Sequence, residues 1–143
     1  MEVLSVEQRL RRFLLGVTAA IFIGTVLELI LVDHYEETLQ YIPFFLSGLG
    51  FIAVLIAWIS PSRKNLMILR WVMVLVALGS LYGIYLHFSG NLGFTREINP
   101  SFSLSESIWP ALKGANPLIA PGILFLAGIL GIAATYRHPG LKE

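Results

Sequence analysis

The chain has 143 residues; 56% are hydrophobic and only 13% charged, with a formal net charge of +1. Soluble domains carry about 25% charged residues, so this composition argues against a water-soluble globule and against a disordered chain. The near-neutral charge excludes a broadly basic nucleic-acid binder. The absence of cysteine excludes disulfides, thiolate metal sites, iron–sulfur clusters and cysteine nucleophiles.

A membrane helix needs roughly 20 mostly apolar residues to cross about 30 Å of hydrocarbon. Four segments meet that length, at about 13–32, 41–59, 66–88 and 118–136. The expected fold class is therefore all-α: one integral membrane domain over 1–143, an up-down four-helix bundle with a long extracytoplasmic loop between the third and fourth helices.

The first span follows Arg9, Arg11 and Arg12. A basic start before an apolar run resembles a signal peptide. Yet this run is about 20 residues against the usual 7–15, and it ends in Val32-Asp33-His34 with no small-x-small cleavage site, so it reads as a retained helix. Within it, Gly16, Ala20 and Gly24 form an i+4 row of small residues whose next member is Glu28. Small residues let membrane helices approach closely, so this row is expected to face the bundle interior.

Ser60-Pro61-Ser62 stops the second span, because Pro61 has no N–H to donate. Gly50, Ala53 and Ala57 supply its small residues. Asn65 is the expected cap of the third span, which carries Gly79, Ser80 and Gly83, with His87 next in the glycine row. Arg70, about a turn inside that helix, is expected to snorkel to the interface. Between spans three and four, Ser103 and Glu106 have capping-box spacing. Pro110 limits the helix that would follow, and Trp109 would anchor a short element on the outer interface. Asn116-Pro117 reads as a cap with proline at the first helical position, and Pro121 as a local kink in the fourth span. Ala127, Gly131 and Thr135 give that helix a small face.

Eight Lys or Arg residues flank one side of these spans (9, 11, 12, 63, 64, 70, 137, 142) and two the other (96, 113). The positive-inside rule then places both termini in the cytoplasm, in a bacterial inner (plasma) membrane. Trp58, Trp71 and Tyr136 would line the inner interface, and Tyr35, Tyr41, Tyr85 and Trp109 the outer.

Candidate chemistry gathers near the outer side. Glu28 is the sharpest feature, since an ionised carboxylate in hydrocarbon costs about 2.5–3.5 kcal/mol or more. Counted from the inner arginines, Glu28 and His87 reach matched depth on parallel helices, so they are expected to meet. His34 and Glu37 share a face if the first helix continues past Val32. Glu28, His34, Glu37 and His87 together offer two imidazoles and two carboxylates, an inventory that suits a divalent metal such as zinc, iron or manganese. No HExxH or paired ExxH motif is present, a structural hydrogen bond near the helix end is the favoured account of Glu28, and no cofactor is required by the sequence. Two histidines would also allow bis-His haem, although His34 lies close to water. The Asn91, Thr95, Arg96, Glu97 and Asn99 group reads as an ordinary solvated loop, and His138 as a surface residue.

Architecture alone assigns no activity. The leading expectation is a non-enzymatic accessory subunit or assembly factor with the long outer loop as its recognition surface. Its partners would be the lipid bilayer and a membrane protein or a second copy of the chain, with no nucleic acid. The alternatives are an oligomeric transporter or ion pathway using Glu28, and a metal- or haem-dependent membrane enzyme with a site near the outer face.

Overall fold

The computed structural model describes residues 5–141, and all of the regular secondary structure among them is helical. Lys142, counted above with the inner charges, lies outside the described residues. Five α-helices follow in order: α1 (Val6–Leu31), α2 (Tyr41–Ile59), α3 (Arg63–Ile98), α4 (Leu104–Leu112) and α5 (Ile119–Ala134). Single 3-10 turns lie at Thr38–Gln40 and Pro139–Leu141. The segments holding α1, α2 and α3 are long and apolar enough to cross a membrane; α5 is apolar but has 16 residues, about 24 Å.

Local chemistry sets the boundaries. Helix α1 starts earlier than hydropathy indicates, because Ser5 and Gln8 form a capping box: the Ser5 hydroxyl accepts from Gln8 N–H, and Gln8 Oε1 accepts from Ser5 N–H at 2.8 Å. Helix α3 is capped by Ser62, whose hydroxyl accepts from the N–H of Asn65, and not by Asn65 itself. Helix α5 begins after Leu118 with no side-chain cap, so Asn116 does not cap it. Pro121 falls in the first turn of α5, where a missing N–H costs nothing, and the expected kink has no cause there.

The third span is the main correction. It does not end near residue 88 but continues to Ile98, 36 residues and about 54 Å long. The expected long loop over 89–116 is therefore mostly helix: α3 overruns, and α4 packs back against it. Ser103 and Glu106 form the anticipated capping box, with Ser103 N–H and hydroxyl both donating to Glu106 at 2.8 and 2.6 Å. Those bonds stabilise the charged form and hold the Glu106 carboxyl below its usual pKa. Ser107 and Ala111 of α4 are buried, whereas Leu104, Ile108, Trp109 and Leu112 are exposed.

The apolar helices pack in a ring. Helix α1 lies against α2 and α5, and α3 lies against the same two. No Cα of α1 comes within 8 Å of one in α3 among the described residues, so the two helices occupy opposite corners. Close packing relies on small residues where the expectation placed them in α2, α3 and α5, but not in α1. The fully buried Phe22 ring lies over Gly50, Leu46 seats on Gly79, and Met73 fits against Gly131. In α1 the buried stripe is Leu15, Thr18, Phe22, Thr25 and Leu29; Ala20, Gly24 and Glu28 are exposed, and a Cβ on Gly24 would meet nothing within 4 Å. Phe22 settles the rotation: it fills the groove that Gly50 opens, which turns the glycine row of α1 outward.

The two ends differ. At the basic end the C-terminus of α5 is closed by arginines from other helices. Arg70 Nε donates to Thr135 Oγ1 at 2.7 Å, and Arg11 donates to the Arg137 carbonyl at 3.1 Å. Arg70 thus binds a neighbouring helix terminus, where its charge also complements the dipole, in place of the expected snorkelling. The opposite, histidine end is open at its centre.

Candidate functional site

A cavity of about 690 Å³ enters the helix ring at the histidine end. All four apolar helices line it. Its depth along α3, from His87 to Gly79, is about 12 Å. The walls are mostly apolar, including Leu29, Leu46, Leu86, Pro121 and Leu124; Gly79 and Gly83 keep α3 thin where it passes. The polar lining includes Glu28, His34, Glu37 and His87. All four residues singled out from the sequence therefore border one cavity.

Each arrives there by a different route. Helix α1 stops at Leu31, so the helical i,i+3 relation expected of His34 and Glu37 does not exist. Instead the helix ends in a Schellman turn. Asp33 adopts φ +52°, its N–H donates to Ile30 O at 3.2 Å, and the N–H of His34 donates to Leu29 O at 2.9 Å. Aspartate tolerates this left-handed conformation better than most residues, and glycine would adopt it without strain. The reversal places His34 at the cavity. Glu37 is held at the rim because Gln40 Oε1 accepts from the N–H groups of Glu36 and Glu37 at 2.7 and 3.0 Å.

His87 is tied down by a hydrogen bond to the segment before α5. Its Nδ1 donates to the carbonyl of Pro117 at 2.8 Å, which orients the ring and leaves Nε2 unengaged by that bond. The ring beside it is His34, with centroids 6.2 Å apart and planes tilted by 55°. The expected Glu28–His87 meeting thus becomes a shared cavity lining with a histidine pair. Burial lowers the His34 pKa from its usual value, and the charge of His87 lowers it further, so His34 stays neutral near pH 7.

One contributor was misjudged from sequence. Asn91, grouped there with a solvated loop, is 3% exposed. Its side chain makes a two-bond bridge to the backbone of Asn116: Nδ2 donates to the Asn116 carbonyl at 2.9 Å, and Oδ1 accepts from its N–H at 3.0 Å. With the His87–Pro117 bond, this ties the approach to α5 onto α3 and builds one wall of the cavity. Gly114 is required nearby, since a Cβ there would overlap the Asn91 side chain. The only sequence signal was a pair of asparagines flanking a glycine-containing segment, which reads equally well as a loop.

Chemically, the lining offers acceptors and lone pairs above an apolar chamber, an arrangement that can hold a cationic or donor-bearing head with an apolar body below it. Among the described residues, no three His, Asp or Glu side chains already converge closely enough to enclose an ion. No family profile, curated protein or solved structure matches this chain.

Proposed function

We propose that α1, α2, α3 and α5 cross a bacterial inner membrane as a four-helix bundle, basic end in the cytoplasm, and that the protein is a non-enzymatic component that binds a small amphipathic molecule from the outer side. The carrying observation is the cavity. Ligand sites are typically concave chambers of about 300–1,000 Å³ with apolar walls and a few polar groups, which describes this one. For α5, the uncharged run from Pro117 to Tyr136 extends the apolar path to about 20 residues, which supports a full crossing. The test is native mass spectrometry of the protein extracted in mild detergent, wild type against Gly83→Leu. A Cβ at Gly83 would already stand 3.3 Å from Pro121, so leucine fills the chamber. An amphipathic molecule should accompany the wild type and be lost from a variant of equal thermal stability. Empty wild-type protein after reconstitution with lipid extracts would refute the reading.

A second reading, an accessory subunit or assembly factor, is favoured by the α3–α4 hairpin, whose exposed Leu104, Ile108, Trp109 and Leu112 form an apolar stripe beyond the expected bilayer. Affinity purification of wild type and Trp109→Ser from native membranes tests it: a membrane partner lost from the variant supports it, and identical profiles refute it.

A further inference from the structure

We infer that His34 and His87, with the carboxylate of Glu28 as third ligand, form a site for a zinc-class divalent cation at the mouth of the cavity. The inference shares the cavity with the reading above but does not need the amphipathic ligand. It begins with the two imidazoles, brought together from separate elements, the Schellman turn after α1 and the middle of α3, with centroids 6.2 Å apart. Two imidazoles on one tetrahedral zinc, with Zn–N of about 2.0–2.1 Å, place their centroids roughly 5.2 Å apart. The observed separation is about 1 Å longer than that.

The second observation is independent of that distance. Metal-ligating histidines almost always donate their other ring N–H to a carboxylate or a backbone carbonyl, which fixes the tautomer and orients the ring. His87 does this, through Nδ1 to the Pro117 carbonyl at 2.8 Å. That carbonyl is itself held in place, because the adjoining Asn116 is bridged twice by the buried Asn91. The outer support of a ligand is thus built between α3 and the linker that enters α5, without any ion.

Electrostatics selects the occupant. Glu28 and Glu37 border the same cavity and favour a cation. They oppose haem, whose propionates would add two negative charges at this mouth. Imidazole and carboxylate donors without thiolate suit zinc, cobalt or nickel. Glu28 projects from the last turns of α1, next to Leu29, whose carbonyl accepts from the N–H of His34; among the described residues the three side chains do not converge, so binding of the ion has to draw the Glu28 carboxylate in.

The experiment uses the full chain in mild detergent, stripped with a chelator and titrated with Zn²⁺, then with Co²⁺ as a spectroscopic probe. The expected result is one ion per chain, with the visible absorption of four-coordinate Co²⁺. His34→Ala, His87→Ala and Glu28→Gln should each weaken Zn²⁺ binding by at least about tenfold, the scale set by losing even an outer-shell partner. His138→Ala, at the basic end, should bind as wild type does. If His87→Ala fails to fold, His34→Ala on the exposed turn carries the test. Absence of saturable Zn²⁺ binding by wild type, wild-type affinity in His34→Ala, or a haem spectrum in the purified protein would each overturn the proposal. Failure of Zn²⁺ with retention of an amphipathic molecule removes the cation site alone; Zn²⁺ binding to protein that never retains such a molecule removes only the amphipathic ligand.

Discussion

Gly128 offers a stringent test of the packing. A Cβ built on this α5 residue would stand 2.9 Å from the carbonyl oxygen of Met73 and 3.1 Å from both the N and the Cβ of Ala77 on α3. Two of these three atoms are backbone, so no side chain can swing away; Gly128→Ala must push the helices apart by a few tenths of an ångström along their shared length. Overpacking of this kind costs about 1–3 kcal/mol. The matched control is Gly24→Ala, also glycine to alanine within an apolar helix, but with nothing within 4 Å of the new Cβ. That change should be neutral or stabilising by up to about 1 kcal/mol, the helix-propensity gain of alanine over glycine. The two variants should therefore differ by about 1–4 kcal/mol, from fivefold to several hundredfold in the unfolding equilibrium. Reversible unfolding by SDS titration in mixed micelles, followed by helical circular dichroism, measures it. Equal stability of the two, or a larger loss at Gly24, would show that the α3–α5 contact or the outward rotation of the α1 glycine row is wrong.

Asn91→Ala should destabilise the protein by about 1–3 kcal/mol, because it strands the N–H and carbonyl of Asn116; limited proteolysis at the 113–118 linker should accelerate, and unchanged cleavage would refute the bridge. Asp33→Gly should stabilise the turn after α1 by about 1 kcal/mol, since the residue sits at φ +52°; a loss in thermal stability would argue against the Schellman geometry that places His34. His138, at the basic end, has a pKa lowered first by burial and then by Arg11, and its Nδ1 accepts from Gly140 N–H at 3.1 Å. The unfolded chain therefore protonates before the folded one as pH falls below about 6.5, so this residue's contribution is intact above that value and stability declines below it; His138→Asn should flatten part of the decline, and an unchanged profile would refute the assignment. A cysteine replacing Ser62 should resist an impermeant reagent in intact cells, whereas one replacing Ser105 should react, and the reverse pattern would invert the topology.

The sequence by itself determined the class and the main apolar elements. Composition pointed to long apolar helices, and hydropathy located α2 at its observed bounds, 41–59, because an apolar run between Gln40 and Ser60-Pro61 has both ends marked by local chemistry. The capping box at Ser103 and Glu106 was legible for the same reason: its partners lie three residues apart. Hydropathy could not see α3 continue to Ile98, because that extension is stabilised by packing against α4 and not by apolar composition.

Rotation about the helix axis was beyond the sequence too. A row of small residues fits lipid and protein alike, and only the Phe22–Gly50 contact decides that Ala20 and Gly24 turn outward while Leu15, Thr18 and Leu29 turn in. For the site, residue types and approximate depth named Glu28, His34, Glu37 and His87, because ionisable groups near hydrocarbon are rare enough to stand out. Their actual arrangement came from tertiary structure: a left-handed Asp33 that swings His34 over the cavity, and a buried Asn91 that fixes the carbonyl His87 leans on. Both devices bring together groups whose relation is conformational or distant in sequence, which leaves no local pattern to read.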